Sequence, residues 1–169
     1  MLLKTVGIFL IFGVCAALGF QQADRLKSRV ALLRETIAFW EQFRIQLGGL
    51  RASPGEIIRM LRQRGAFEHN SLARELNEGF RNSPSFRRNL AAALVKCPEL
   101  RECGADGILL SLGDVIGSQE LESQLVALDS VLALLKRRLA EEDAAYGKYG
   151  GLYRRLGVLG GLALAVVFL

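Results

Sequence analysis

The chain has 169 residues, of which 51% are hydrophobic and 8% aromatic, and it carries a formal charge of +5. Its length is about that of one domain, and its abundant leucine, alanine, arginine and glutamate favour helices. The positive charge fits either a nucleic-acid partner or a membrane protein, whose cytoplasmic segments collect lysine and arginine. Basic and aromatic residues are not interleaved as a base-stacking surface requires, so we exclude nucleic acid as a partner.

Residues 1–20 are predicted to form a transmembrane helix. No charged residue lies between Thr5 and Phe20, and about 20 residues at 1.5 Å each cross the ~30 Å hydrocarbon layer. A cleaved signal peptide is the alternative, because Ala17 and Gly19 are small residues near the end of this segment. The basic cluster that follows resists translocation, so we favour a retained anchor. This cluster consists of Arg25, Lys27, Arg29 and Arg34.

One long amphipathic helix is predicted over residues 24–50, and a second begins at Ser118. Apolar residues step by four and three along both, which keeps them on one side of a helix for several turns. They are Leu26, Val30, Leu33, Ile37, Trp40, Phe43, Leu47 and Leu50 in the first helix, and Leu121, Leu125, Leu128, Leu132, Leu135 and Leu139 in the second. Each stripe needs a covering helix, so the two helices are expected to pack antiparallel.

Four short helices are predicted between the long ones. Serine followed by proline is a typical helix start, and glycine or proline typically ends a helix. The first starts at Ser53 and Pro54 and stops at Gly65, the second covers about residues 68–80, the third starts at Ser83 and Pro84 and ends before Pro98, and the fourth covers residues 104–116.

Residues 153–169 are predicted to be the second transmembrane helix. Tyrosine and arginine collect where a helix enters a bilayer, and no charged residue follows Arg155. Gly157 and Gly161 form a small-xxx-small pair that permits close helix packing. Residues 156–169, which follow Arg155, make only about 21 Å of helix, which is shorter than the ~30 Å hydrocarbon layer. Snorkelling of the arginines or local thinning of the bilayer compensates for this difference. The residues that we assign to the membrane boundary are Tyr153, Arg154 and Arg155.

The predicted fold is an all-α, membrane-anchored bundle of about six helices, in which the two long antiparallel helices continue into the terminal transmembrane segments. Basic residues flank both membrane segments on the side of the middle of the chain. The positive-inside tendency therefore places residues 21–152 in the cytoplasm and both termini on the far side of the membrane.

The sequence lacks the residues of the usual catalytic and metal sites. His69 is the only histidine, so a histidine-based triad or a zinc site of ordinary composition cannot be assembled. Glu141, Glu142 and Asp143 are expected on a solvated helix face rather than around a metal ion. We predict that the chain is not an enzyme and that it binds no cofactor, metal or small-molecule substrate.

The three cysteines are Cys15, Cys97 and Cys103. Their odd number and the absence of a CxxC pair give no disulfide framework. A Cys97–Cys103 disulfide is one alternative, but we favour reduced thiols that pack as small apolar groups.

A family resemblance is carried by residues 112–118, with the sequence LGDVIGS, and by residues 156–161, with the sequence LGVLGG. With Gln124, Tyr149 and Tyr153, they resemble stage III sporulation protein AB of endospore-forming bacteria. The resemblance implies a membrane protein of the mother cell, facing the forespore, in the complex that links the two cells. It further implies that the helical part is similar to the F proteins of type II secretion. The partners that it implies are the ATPase-like protein AA, other components of the complex and membrane lipids.

Arginines are frequent on the short helices between Ser53 and Val95. They are Arg59, Arg62, Arg64, Arg74, Arg81, Arg87 and Arg88. Arginine is enriched at interfaces but is also an ordinary surface residue, so a merely solvated basic face is the alternative. The residues that we predict to contact a partner are Arg59, Arg62, Arg87 and Arg88. The competing function classes are an exported, membrane-tethered binding protein and a membrane-bound regulator.

Overall fold

The computed structural model describes residues 2–49, 52–63, 65, 67, 70–118 and 120–167, without the side chains of residues 2–12, 15, 16, 82, 154, 157, 158 and 161–167. This part of the chain forms seven α-helices and one turn of 3-10 helix, and it contains no strand. The helices are α1 (Leu2–Gly49), α2 (Pro54–Gln63), α3 (Ser71–Asn82), α4 (Phe86–Val95), α5 (Pro98–Glu102), α6 (Asp106–Leu110) and α7 (Leu121–Val167), and the 3-10 turn is Ser111–Asp114. The all-α prediction is confirmed.

The chain divides into two compact units. The central unit comprises residues 31–140, and the terminal unit comprises residues 1–30 and 141–169. The helices α1 and α7 contribute to both units, whereas α2 to α6 belong to the central unit.

The core of the central unit is organised around Trp40 of α1, whose side chain is fully buried. Its ring centroid lies 5.2 Å from that of Phe39, 5.4 Å from that of Phe43 and 6.4 Å from that of Phe86, always edge to face. Edge-to-face contacts place the positive ring edge against the negative ring face, which adds to the gain from burial. Because Phe86 is the first residue of α4, these contacts fix α4 against α1.

Within the central unit, α1 and α7 run antiparallel, as predicted. Arg44 of α1 makes a two-pronged ion pair with Asp129, and Glu41, one turn earlier, lies 2.7 Å from Lys136. The order of these pairs reverses between the two helices, which defines the antiparallel direction.

The leucine stripe of α7 is covered along most of its length. Leu128, Leu132 and Leu135 are buried, and Leu125 packs against Gly48 of α1. At the start of the stripe, however, Leu121 is 43% exposed. The stripe predicted from the sequence therefore forms a covered seam only from its second leucine onward.

The start of α2 is the predicted one. The Ser53 hydroxyl accepts a hydrogen bond from the Glu56 backbone N–H, while the Glu56 carboxylate accepts one from the Ser53 backbone N–H at 2.8 Å. This reciprocal pair satisfies donors that a helix start leaves open. The Ser53 backbone N–H and the Ser53 hydroxyl both donate to this carboxylate, and these two hydrogen bonds lower the pKa of Glu56. Beyond the last residue of α2, Gly65 has a φ of 71°, as a helix-ending glycine often has.

The start of α4 differs from the prediction by two residues. The Ser83 backbone N–H still donates to the Gly79 carbonyl, so Ser83 closes α3 rather than opening α4. Pro84 disfavours helical conformation in the residue before it, and Ser83 is indeed extended. Ser85 is the N-cap of α4, and its hydroxyl accepts from the Arg88 backbone N–H.

The single helix predicted over residues 104–116 was wrong, because this region forms the short helix α6 followed by the 3-10 turn, and a further short helix, α5, lies before it. Pro98 opens α5 instead of only closing α4, since proline is well suited to the first turn of a helix. Gly104 then ends α5 with a φ of 66°. The Arg138 guanidinium of α7 donates to the Cys103 carbonyl at 2.7 Å, which holds this turn in place.

Cys97 and Cys103 lie at the two ends of α5, and both are buried thiols outside any disulfide. Burial raises the pKa of the Cys97 thiol. The reduced, packed state that we favoured for this pair is confirmed, while the Cys15 side chain lies outside the described residues.

An ion pair between Glu75 of α3 and Lys96, the C-cap of α4, gives a pH-dependent prediction. The Lys96 ammonium donates to the Glu75 carboxylate at 2.7 Å, and this hydrogen bond lowers the pKa of Glu75. A lowered folded-state pKa stabilises the fold above the unfolded-state value of about 4.3, and the gain is lost as pH falls through the folded-state pKa. We expect Lys96→Met to lower the urea midpoint at pH 7 and to leave it unchanged at an acid pH below the folded-state pKa of Glu75.

Arg88→Met is the matched control for this test, because Arg88 is exposed on the same helix α4. Its urea midpoint should differ from that of the unsubstituted chain by the same small amount at both pH values. A Lys96→Met effect that persisted unchanged at acid pH would show that Glu75 is not its origin.

Among the side chains of the terminal unit that the structure describes, few are buried and many apolar ones are exposed. Ala23, Val30 and Glu142 are buried. The exposed apolar side chains are Val14, Leu18, Phe20, Tyr149, Leu152, Tyr153, Leu156 and Leu159. Within the described residues, no helix combines the length and the apolar character that crossing a membrane requires.

Candidate partner-docking site

A groove of about 460 Å³ lies between α2 and α3 in the central unit. Its walls come from both helices. They are Gly55, Arg59, Arg62 and Gln63 of α2, and Asn77, Glu78, Phe80 and Arg81 of α3. Because Gly55 at the start of α2 contacts Phe80 near the end of α3, the two helices run antiparallel, as consecutive helices with a short connection usually do.

The floor of the groove depends on a glycine. A Cβ atom added at Gly55 would lie 2.9 Å from Cδ1 of Phe80, so only glycine lets the Phe80 ring lie this close to α2. The ring is partly buried, and its centroid lies 6.2 Å from that of Phe86 in the core. The floor is therefore an apolar surface anchored to the main aromatic cluster.

The walls of the groove carry three arginines and one carboxylate. Arg59 and Arg62 are three residues apart on α2, a spacing that places them on the same face, and Arg81 is in the last turn of α3. Among the described residues of the lining, Glu78 is the only acidic one. Arg59 interacts electrostatically with the Glu56 carboxylate of its own helix, but within the described part of the chain no hydrogen bond or ion pair joins the three guanidinium groups to another helix. The groove therefore presents net positive charge with unused hydrogen-bond donors.

The four arginines that we predicted to contact a partner lie in different places relative to this groove. Arg59 and Arg62 belong to its lining, whereas Arg87 and Arg88 do not. Arg87 instead pairs with Asp114 at 2.6 Å, and it packs so closely on Gly113 that a Cβ there would lie 3.3 Å from its Cγ. Arg87 thus fastens α4 to the 3-10 turn. Arg88 is exposed on α4, outside the groove lining.

Among the described residues, Arg81 is the groove arginine that our predicted contact set did not include. The sequence contained a usable signal, since two short consecutive helices joined by a short loop usually pack antiparallel. That arrangement brings the end of α3, with Arg81, next to the start of α2, with Gly55 and Arg59.

Comparison with known protein families identifies the chain. The sequence model of stage III sporulation protein AB matches residues 4–169, nearly the whole chain. The chain belongs to the stage III sporulation protein AB family. This membership implies a role in stage III of sporulation, and neither the family nor the fold indicates an enzyme. No curated protein and no solved structure shows significant similarity to the chain.

In this member of the AB family, the residues that carried the resemblance build the turn into α7. Gly117 has a φ of 84°, and its backbone N–H donates to the buried Gln124 side chain at 3.1 Å. The Ser118 hydroxyl donates to the Asp114 carbonyl. These side chains fix the direction in which α7 leaves the 3-10 turn, so their role in the AB family member is structural.

The residues predicted to mark the membrane boundary are described only in part. Tyr153 and Arg155 are exposed. The Tyr153 ring centroid lies 6.3 Å from that of Tyr149, and the Lys148 ammonium lies 5.1 Å from the Tyr149 centroid. The Arg154 side chain and the packing of Gly157 and Gly161 lie outside the described residues.

The prediction of a solvated carboxylate face was wrong for one of its three residues. Glu142 is buried, whereas Glu141 and Asp143 are exposed, and all three take part in interactions. No group of histidine, cysteine, aspartate and glutamate within the described ranges has the arrangement of a metal site. His69 lies outside these ranges.

Proposed function

We propose that the chain is a non-enzymatic membrane scaffold of the complex that links mother cell and forespore, and that it engages the secretion-type ATPase, protein AA. In this proposal, the terminal segments hold the chain in the mother-cell membrane that faces the forespore. The central unit lies in the cytoplasm and presents the α2–α3 groove to the ATPase. The observation that carries the docking step is the set of three groove arginines that are linked to no other helix within the described residues.

A comparison of arginines within the central unit supports a binding role for the groove. Arg44, Arg87 and Arg138 each pair with a residue of another element and so hold the fold together. Arg59, Arg62 and Arg81 make no such link among the described residues. Arginine is enriched at protein interfaces because its planar guanidinium group carries several hydrogen-bond donors and is only weakly hydrated.

The distribution of charge supports the membrane attachment. Residues 5–20 and the residues after Arg155 contain no charged side chain, and basic residues flank both segments on the central side. Exposed Tyr149 and Tyr153 lie next to the second segment, where amphipathic rings favour the boundary between water and lipid.

Charge reversal in the groove tests the docking step. We expect the combined Arg59→Glu, Arg62→Glu and Arg81→Glu variant to weaken binding to protein AA by about tenfold or more, since each exposed ion pair contributes about 0.2–1 kcal/mol and reversal adds repulsion. Arg88→Glu, which makes the same type of substitution at one arginine outside the groove, should bind normally. Affinity is measured by titrating purified AA onto the full-length chain. If both variants bound protein AA equally well, the groove would not be the docking site for the ATPase.

A photo-reactive residue at position Gln63, in the groove lining, tests contact directly. It should cross-link to AA in sporulating cells, whereas the same residue at exposed Glu99 of α5 should not. A reversed pattern would place the ATPase on another face of the central unit.

The location of the central unit is tested with a cysteine placed at exposed Ala92 of α4. Cells that express the chain outside sporulation are treated with a membrane-impermeant maleimide before and after permeabilisation, and the unsubstituted chain reports background labelling. Labelling only after permeabilisation is the expected result. Labelling of intact cells would support the exported alternative and make contact with a cytoplasmic ATPase impossible.

A further inference from the structure

The length of the α2–α3 groove and its polar lining indicate the shape of its occupant. From Gly55 to Gln63, the α2 wall spans nine residues, about 12 Å of helix. An extended segment of about three to four residues, at 3.3 Å per residue, matches this length. The Gln63 and Asn77 amides of the lining favour an extended segment, because a helix already uses its backbone N–H and C=O groups internally.

The chemistry of the walls restricts the occupant further. A guanidinium group binds a carboxylate through two parallel hydrogen bonds, and three such groups point to an acidic ligand. Gln63 and Asn77 supply amide donors and acceptors that can pair with a peptide backbone. Side chains of an extended segment alternate between its two faces, so carboxylates can meet the arginines while an apolar side chain meets Phe80.

A compact phosphate group fits this site less well than a peptide does. Phosphate sites typically use the open N–H groups at a helix start. At the start of α2, however, the Ser53 hydroxyl is already the partner of the Glu56 N–H, and the Glu56 carboxylate places negative charge there. Glu78 adds a second negative charge in the lining itself.

We propose that the α2–α3 groove binds a short extended segment of a partner protein, with two carboxylates at alternate positions and an apolar side chain between them. This inference deepens the proposed function, because it states which kind of segment the scaffold recognises. Arg59, Arg62 and Arg81 bind the carboxylates, and the Phe80 ring binds the apolar side chain.

The test uses fluorescein-labelled peptides and the purified full-length chain. Fluorescence anisotropy in dilute salt compares the peptide GGDFDGG with GGNFNGG, which lacks the carboxylates, and with GGDADGG, which lacks the apolar side chain. We expect binding of the first to be about tenfold tighter than that of the second and about threefold tighter than that of the third, and to weaken with added salt.

Variants of the chain locate the binding. Combined Arg59→Gln, Arg62→Gln and Arg81→Gln should weaken binding of GGDFDGG about tenfold or more, and Arg88→Gln should leave it unchanged. Circular dichroism and thermal unfolding check that both variants fold, as expected for exposed or partly exposed arginines that support no other element. A triple variant that bound GGDFDGG normally would overturn the inference.

Competing ligands provide further outcomes. Tighter binding of inorganic pyrophosphate than of GGDFDGG would identify a general anion site and overturn the peptide proposal. Groove-dependent binding to vesicles of phosphatidylglycerol would overturn it in favour of a lipid surface.

Failure of this inference differs from failure of the proposed function. If GGDFDGG does not bind but position 63 still cross-links to AA, the ATPase docks here without an acidic segment. If GGDFDGG binds and AA does not, the groove recognises an acidic segment of a different partner.

Discussion

Replacing Trp40 with alanine is expected to lower the free energy of unfolding of the central unit by about 3–5 kcal/mol. The side chain is fully buried and makes edge-to-face contacts with Phe39, Phe43 and Phe86. Alanine removes the buried surface and leaves a cavity among rings that belong to two helices, and neither helix can close it without disturbing the other.

Urea unfolding followed by circular dichroism measures this loss, with Ile45→Ala as the control. Ile45 is also on α1 but is 56% exposed, so its truncation should cost less than about 0.5 kcal/mol. Trp40→Phe should fall between the two, because it keeps most of the ring volume. It also removes the indole N–H, a buried donor without a hydrogen-bond partner among the described residues. A Trp40→Ala loss as small as that of Ile45→Ala would contradict the assignment of Trp40 to the centre of the core.

Gly79→Val is expected to destabilise the central unit by about 2–4 kcal/mol, from overpacking and from loss of a buried hydrogen bond. At Gly79, α3 approaches α4 so closely that an added Cβ would lie 3.0 Å from Cβ, Cγ and Oδ1 of Asn89. Asn89 is itself buried, and its amide donates to the Ser83 carbonyl at 2.8 Å. A valine at position 79 must therefore displace Asn89 from this hydrogen bond.

Gly107→Val is the matched control, because no atom lies within 4 Å of a Cβ at Gly107 of α6. Valine favours a helix slightly more than glycine does, so this variant should be neutral or mildly stabilising in urea unfolding. Asn89→Ala combined with Gly79→Val should cost less than the sum of the two single changes, since the same contact is lost in both. Strict additivity would show that the two residues do not interact.

The features that the sequence predicted well depend on periodicity and on local capping. The spacing of Leu128, Leu132 and Leu135 identifies a buried stripe without any knowledge of its partner, because period alone defines a helix face. The Ser53 and Glu56 capping pair is likewise contained within four residues. Such features are local, and they were confirmed.

The features that the sequence did not predict depend on contacts between distant residues. The break at Gly104 is held by Arg138, 35 positions away from its acceptor at Cys103. The partner of Arg87 is Asp114 of the 3-10 turn, and this ion pair could not be predicted without the packing of α4 against that turn. The sequence showed that arginines are frequent between Ser53 and Val95. Only the antiparallel packing of α2 against α3 showed which of these arginines lie around the same groove.

The placement of the aromatic residues has a spectroscopic consequence. Trp40, the only tryptophan, lies in the core of the central unit, while the three tyrosines, Tyr146, Tyr149 and Tyr153, all belong to the terminal unit. Red-edge excitation selects tryptophan emission and therefore monitors the central unit alone, and tyrosine emission monitors the other unit. The unlabelled chain thus carries separate optical reporters for binding at the groove and for events around residues 141–169.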